Sequence, residues 1–242
     1  MADPRFKALT LDLWDTLVQE VPRKNPSLAK LRVEEMQSKL GSFGYDYDAG
    51  AIELAYKLSG DFCDEVWARN RDIPTDEHLL FMLKCMDPQL ASRLKREEYA
   101  EIRKIYAEAI LRYPPVLMEG AVAVLEAASR KGYSIGLISN TGRTPGSVLR
   151  IVLEGMRIGG YFSGMTFSDE EMVRKPDKGI FMSALRGLRA SPSEALHIGN
   201  DPKDDFEGAR RAGMSAILLD RGGKSEGGGE TVRSLIELVD LI

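Results

Sequence analysis

Four short stretches of this chain place residues able to do hydrolytic chemistry at the ends of apolar runs. The first, residues 6–18 (FKALTLDLWDTLV), ends its apolar run on Asp12 and then turns through Trp14, Asp15 and Thr16. The others end at Ser139-Asn140, at Lys175, and at a cluster of Asn200, Asp201, Asp204 and Asp205. A carboxylate at a strand end can act as a nucleophile, giving an acyl-phosphate or ester that water later hydrolyses. Ser139 and the backbone N–H groups beside it can bind phosphoryl oxygens. Lys175 can neutralise charge on both the substrate and Asp12. Further acids at 200–205 can hold Mg²⁺, a hard cation that takes oxygen ligands and would screen Asp12 from an anionic substrate. Each stretch alone reads equally well as a strand followed by a polar turn. Acids at the start of a helix are also favoured without any ligand.

The elements that must position these residues give the stretches more weight. A largely apolar run such as 6–18 suits a parallel strand buried on both faces. Open α/β sheets put their chemistry in the crevice beyond such strand ends. From Met118 onward, helical and strand patterns alternate: a helix over 119–131, a strand over 133–138, and a helix from Thr144-Pro145. A short strand at 164–167 leads to Lys175-Pro176-Asp177 and a helix through Leu188. A strand at 195–198 is followed by a helix to Ala212 and a strand at 215–219, and 231–241 reads as a closing amphipathic helix. This alternation predicts an α/β fold with a parallel sheet covered by helices on both faces. The first strand has no partners nearby and must join that sheet.

Between them, residues 19–115 read as helical throughout. Asn25-Pro26 marks a helix start, with Pro at the first helical position, and that helix runs to Leu40. Asp48 opens a second, with Ile52, Ala55, Leu58, Phe62 and Val66 at helical spacing. Thr75 starts a third. Asp87-Pro88 starts another that carries the stripe Tyr99, Ile102, Tyr106, Ala109 and Ile110. The expected organisation is therefore a catalytic core of residues 1–18 and 116–242, with residues 19–115 inserted as a helical domain. The Gly-rich stretch 221–230 contains Gly223-Lys224-Ser225, which resembles the end of a phosphate-binding loop. The position where that motif needs its first Gly is Leu218, so the motif is not present.

Composition removes several classes. A formal net charge of -4 argues against a nucleic-acid or polyanion partner. No apolar run approaches a membrane span and the N-terminus lacks a signal-peptide core, so a cytoplasmic protein with no membrane partner is expected. Cys63 and Cys85 form no CxxC pair, and the two histidines, His78 and His197, are too few for multi-His metal sites. His197 lies inside an apolar strand pattern.

Taken together, the four stretches resemble the haloacid dehalogenase-like hydrolase superfamily, and the likeness covers nearly the whole chain. Asp12-Leu13-Trp14-Asp15-Thr16 matches its first motif, and the strand ending Ile138-Ser139-Asn140 its second. Lys175-Pro176-Asp177 matches the third. Gly199-Asn200-Asp201-Pro202-Lys203-Asp204-Asp205 with Gly208-Ala209 matches the fourth. The resemblance implies a Rossmann-like core with a helical cap inserted after the first strand. It implies Asp12 as the nucleophile, Ser139 and Asn140 binding the transferring group, and Lys175 orienting it. Mg²⁺ would be held by the Asp12 carboxylate, the Trp14 carbonyl and the side chain at 200, with Asp201 or Asp205 compensating for a missing charge.

Two departures stand out. Family phosphatases carry a general acid where this chain has Trp14, while family dehalogenases carry an aromatic there, because a departing halide needs no proton. The usual metal-binding Asp is Asn200. Family dehalogenases also receive the halide on an Arg of an early cap helix, for which Arg32 is the candidate, although a single Arg at helical spacing is usually surface charge. The expectation is a hydrolase working through a covalent Asp12 intermediate on a small-molecule substrate. First in rank is a Mg²⁺-dependent phosphatase favouring phosphate compounds with good leaving groups. A metal-independent 2-haloacid dehalogenase is the alternative, and a silent member that binds a phosphorylated ligand or a protein is the third.

Overall fold

The computed structural model of the chain describes residues 6–20, 27–223 and 230–242. Its centre is β1 (Ala8–Leu11), a four-residue strand with every side chain buried. Leu9 and Leu11 are fully removed from water, and burial of this kind contributes roughly 1.5–3 kcal/mol per side chain. The short antiparallel pair β2 (Val18–Gln19) and β3 (Val116–Leu117) follows, with Val18 opposite Leu117 and Gln19 opposite Val116. The remaining strands are β4 (Ser134–Ser139), β5 (Gly164–Phe167), β6 (Ala195–Gly199), β7 (Ser215–Leu219) and β8 (Thr231–Val232). The main sheet has six strands in the order β5-β4-β1-β6-β7-β8. All of its pairings are parallel. The order reverses at β1: chain connections run outward to β4 on one side and to β6 on the other. That is the switch point at which open α/β sheets bind ligands.

Helices α1 (Leu28–Ser42), α2 (Ala49–Trp67), α3 (Thr75–Met86), α4 (Leu90–Arg93) and α5 (Arg96–Glu108) lie between β2 and β3 in sequence. They share a hydrophobic cluster that includes Met36, Leu40, Ile52, Leu79, Met82, Ile102 and Tyr106. Asp48 caps α2 and Thr75 begins α3, as the sequence predicts. The start of α1 is capped by Ser27, whose side chain accepts from Lys30 N; Asn25-Pro26 lies outside the described residues. The stretch after Asp87 forms two helices, because Lys95 caps a fresh start with Glu98 reaching back to it. On α2 the buried stripe is Ile52, Ala55, Ser59 and Cys63, while Leu58 faces out.

The core helices are α6 (Ala121–Arg130), α7 (Gly146–Gly155), α8 (Ser168–Glu171), α9 (Lys178–Leu188), α10 (Gly208–Arg211) and α11 (Leu235–Leu241). They cover the two faces of the sheet with separate apolar clusters. The closing helix begins at Leu235, capped by Ser234, and the residues expected to open it form β8 at the sheet edge instead. Between β6 and α10 the chain makes a wide π-type turn over Pro202–Glu207. Lys224 and Ser225 lie outside the described residues.

Candidate active site

β1 delivers Asp12. Its backbone N–H still donates to Ile198 O (2.9 Å), so the residue is held as a continuation of the ladder with β6. The carboxyl is buried at 6% exposure. Lys175 reaches it from the turn before α9: Nζ lies 2.5 Å from Asp12 Oδ1, 2.6 Å from Asp205 Oδ1 and 3.0 Å from Ile138 O. One ammonium thus bridges two carboxylates and a strand-end carbonyl, using all three of its protons. Burial, together with the negative charge of Asp205, pushes the Asp12 carboxyl up to about 7 against the pull of Lys175. Asp205 is buried too, which pushes it up, but Lys175 and His197 hold it below the usual carboxylate range. Lys175 is raised above its ordinary value despite its burial, because Asp12 and Asp205 flank it.

Asp205 is fixed from two further directions. Its Oδ2 accepts from Asp201 N at 3.0 Å and its Oδ1 lies 3.2 Å from His197 Nε2. The other ring nitrogen of His197 is 2.9 Å from Thr10 Oγ1, and Thr10 is its register partner across β1 and β6. Burial keeps this imidazole below its ordinary pKa. Gly199 makes the approach possible: a Cβ there would lie 2.2 Å from Asp205 Cγ. The sequence reading left His197 in the core. The available signal was the two-residue alternation that puts Thr10 on the same face as Asp12.

Asn200 sits at the mouth of β6. The tip of its amide lies 2.9 Å from Trp14 O, 3.2 Å from Thr16 Oγ1 and 3.3 Å from Asp12 Oδ2. With the amide nitrogen turned there, it donates to these oxygens. With the oxygen turned there, Asn200 Oδ1 lies 2.9 Å from Trp14 O and 3.3 Å from Asp12 Oδ2, a set of oxygens of the kind a hard cation takes. The donor set fits a hard cation in number and chemistry, with Asp12 as its single formal charge. The acids expected to compensate are directed elsewhere. Asp201 caps the turn after β6, accepting from Lys203 N and Asp204 N at 2.8 and 2.7 Å. Asp205 is held by Lys175 and His197. Among the described residues no group of three or more His, Cys, Asp or Glu is placed to hold a metal ion.

The second strand end carries Ser139 and Asn140. Ser139 is fully buried and donates to Asn140 O at 3.3 Å. The Asn140 amide clamps the Lys175 backbone, accepting from Lys175 N (2.8 Å) and donating to Lys175 O (3.1 Å) and Asp204 Oδ2 (3.1 Å). Its side chain therefore positions Lys175. Asp15 has φ 56° and faces solvent, where Arg221 Nη2 donates to its backbone oxygen at 3.1 Å.

Trp14 and Asn140 border a cavity of about 320 Å³ that Arg32, Trp67, Arg143 and Arg174 also line. Arg32, the candidate halide partner, is 5% exposed, so it is not the surface charge that a single Arg at helical spacing usually is. Its guanidinium donates to Tyr106 O (2.7 Å), Tyr56 Oη (3.3 Å) and Thr144 Oγ1 (3.0 Å). Arg174 stacks on Trp67 and pairs with Asp72 Oδ2 at 3.2 Å. Asp72, in the loop after α2, also takes hydrogen bonds from Trp67 Nε1 and Ser168 Oγ. It thereby ties the helical segment to the start of α8. Arg143, Arg174 and Asp72 escaped the sequence reading because nothing in their local pattern separates them from ordinary surface charge.

A family model described as haloacid dehalogenase-like hydrolase matches residues 6–213. The chain belongs to this family. Among curated relatives, the phosphoserine phosphatase of Thermus thermophilus is 27% identical over 237 residues, covering 91% of each chain. The glyceraldehyde 3-phosphate phosphatase of Methanothermobacter thermautotrophicus is 39% identical over 89 residues, or 37% of this chain and 38% of its own. Among solved structures, a 2-haloacid dehalogenase from Pseudomonas syringae superposes with TM-score 0.67 at 19% identity, covering 98% of this chain and 97% of its own. A phosphatase of the family from Thermococcus onnurineus gives 0.63 at 24%, with the same coverage. These two likenesses speak to the fold. The α/β fold with its parallel sheet and the hydrolase class are as the sequence implied. No helix among the described residues is long and apolar enough to cross a membrane.

Proposed function

We propose that this hydrolase is a Mg²⁺-dependent phosphatase of small phosphorylated metabolites, working through a covalent intermediate on Asp12. The observation that carries the reading is the bridge of Lys175 between Asp12 and Asp205 at 2.5 and 2.6 Å. It leaves Asp12 Oδ2 as the oxygen free of the ammonium, beside Trp14 O and the Asn200 amide. The two phosphatases among the relatives agree with it. In this reading Asp12 attacks phosphorus as the bond to the leaving oxygen breaks, and the leaving group departs with the electron pair. Water then adds to phosphorus and releases the Asp12 carboxylate and inorganic phosphate. Asp12, the Trp14 carbonyl and Asn200 would hold Mg²⁺, whose charge screens that of the phosphoryl oxygens. Trp14 has no proton to give, so compounds with good leaving groups are favoured. Residues 1–18 and 116–242 form the catalytic core in this proposal, and 19–115 a cap over the cavity.

A second reading, a 2-haloacid dehalogenase, is favoured by one observation: Arg32 lines the cavity alongside the aromatic Trp14. There Asp12 would attack carbon, halide would leave, and water would attack the carboxyl carbon of the resulting ester. A single turnover in ¹⁸O-labelled water separates the two. Attack at phosphorus puts the label in phosphate and none in Asp12; attack at the carboxyl carbon puts it into Asp12. A series of aryl and alkyl phosphates, with and without Mg²⁺, tests the first reading. It expects a steep fall in kcat/KM with rising leaving-group pKa, and equal rates across the series would refute it.

A further inference from the structure

Arg32 and Arg143 face the same cavity, and neither has a carboxylate partner among the described residues. Arg32 is nearly fully buried, yet everything it touches is neutral: a backbone carbonyl, a phenol and a threonine hydroxyl. Arg143 lies over the Tyr56 ring at 3.9 Å and donates from Nη2 to Tyr56 O at 2.8 Å. Its Nε is buried without a partner. Tyr56 thus joins the two guanidiniums, one on its hydroxyl and one on its face and carbonyl. Arg174, the third cation at the cavity, is already paired with Asp72. Glu20, the one carboxylate among the described lining residues, is exposed.

Burying a charge without a counter-ion is costly, and the usual compensation is a paired anion. The local sequence accommodates the cost. Gly60 sits inside α2, where Gly is normally unfavourable against Ala. A Cβ there would lie 2.7 Å from Arg143 Nη2. The glycine leaves room for the guanidinium on the cavity wall.

We propose that the substrate carries two anionic groups. Resting on the phosphatase reading, the phosphoryl group goes to Asp12 and Lys175, and Arg32 with Arg143 takes a second anion of the same small molecule, a carboxylate or a further phosphoryl group. Guanidinium donors suit either, since both accept two parallel N–H bonds. Trp14, two residues from Asp12, and Asn140, which holds the Lys175 backbone, line the same cavity as Arg32 and Arg143.

The test is calorimetric titration of three non-hydrolysable probes into the intact protein with Mg²⁺: propylphosphonate, 3-phosphonopropionate and propane-1,3-bisphosphonate. One of the two doubly anionic probes is expected to bind about 10- to 100-fold tighter than propylphosphonate, the scale of a charge-assisted contact. Which one does so identifies the second anion. That ratio is expected to fall toward one in Arg143→Gln and in Arg32→Gln. Gly60→Ala displaces Arg143 without removing its charge and favours the helix, so it is expected to lower the ratio in a chain that still folds. Equal affinity for all three probes, or a ratio untouched in every variant, overturns the second-anion site while leaving the phosphatase reading intact. Binding of none of them, with 2-chloropropionate turned over and that activity lost in Arg32→Gln, overturns both and makes Arg32 a halide partner.

Discussion

Lys175 Nζ and Asp12 Oδ1 lie 2.5 Å apart in a pocket closed to water on every side of the ammonium. The pair joins a residue of the first strand to one 163 positions later, so the site exists only once the sheet has assembled.

Removing the cation is the sharpest perturbation of that pair. Lys175→Met leaves Asp12 and Asp205 facing each other with no counter-charge, and breaking a buried pair typically costs ~3–5 kcal/mol. Lys175 is raised in the fold, so its contribution is present at neutral pH and would be lost only at strongly alkaline pH. The deficit of the variant is expected to shrink as pH falls toward 5, because one carboxyl then takes a proton. Urea unfolding of both proteins at pH 5 and pH 8 checks this, and a deficit independent of pH would contradict it.

Asp12 carries the opposite sign. Burial raises its carboxyl from 3.8 to about 7. Between those values the folded protein holds a proton that the unfolded chain has released, so stability falls as pH rises through that window. Asp12→Asn has no such titration. In chelator, its unfolding free energy is expected to exceed that of the unaltered protein by an amount that grows from pH 5 to pH 8, reaching on the order of 1–3 kcal/mol. Turnover is expected to drop more than about 10⁴-fold.

At the oxygen cluster, charge is the variable. Asn200→Asp adds a second carboxylate beside Asp12 Oδ2, which now has the amide tip 3.3 Å away. Mg²⁺ affinity, read by titration of the metal alone into the chelated protein, is expected to rise about tenfold or more, since ligand charge count tunes such sites. Metal-free stability is expected to fall, because two buried like charges repel. An unchanged Mg²⁺ affinity would remove Asn200 from the ligand set.

Trp14 offers a gain-of-function test. General-acid assistance is worth about 10²–10⁴-fold for a poor leaving group. Trp14→Asp is expected to raise kcat/KM for alkyl phosphates relative to aryl phosphates by about 10²-fold and to flatten the dependence on leaving-group pKa. A parallel fall in both would show that the indole serves only to wall the cavity.

Gly199→Ala probes the support beneath Lys175. The new Cβ collides with the Asp205 carboxyl at 2.2 Å, and the variant is expected to lose about 1–3 kcal/mol, the usual cost of overpacking. Rescue by Gly199→Ala combined with Asp205→Ser would tie the loss to that one contact.

How far the sequence carried follows from the range of each signal. Asp12 and Asn200 were legible because each follows an apolar run, and parallel strands bring their ends to one edge; Lys175 stands eight residues beyond the strand that ends at Phe167 and was legible from its Lys-Pro-Asp motif. The helical block was legible from its 3.6-residue spacing and from Asp48 and Thr75. Side-chain commitments were not. Asp201 and Asp205 look interchangeable in sequence, yet one caps its own turn and the other holds Lys175 and His197. Asn140 was read as a ligand for the transferring group, and its hold on the Lys175 backbone was not visible in the sequence. Arg32 was a candidate from its place on an early helix alone, and its burial depends on Tyr56, Tyr106 and Thr144, distant in sequence, which close around it.

The ladder between Val18–Gln19 and Val116–Leu117 brings the two crossings of the polypeptide side by side, with Gln19 directly opposite Val116. A two-residue reverse turn suffices to connect neighbours in that geometry. The two strands that flank the helical segment thus lie side by side, and exchanging that segment for another is expected to leave the threading of the sheet unchanged. Ala107 and Ile110, which reach down into the sheet's own apolar cluster, are the surface any replacement would have to cover.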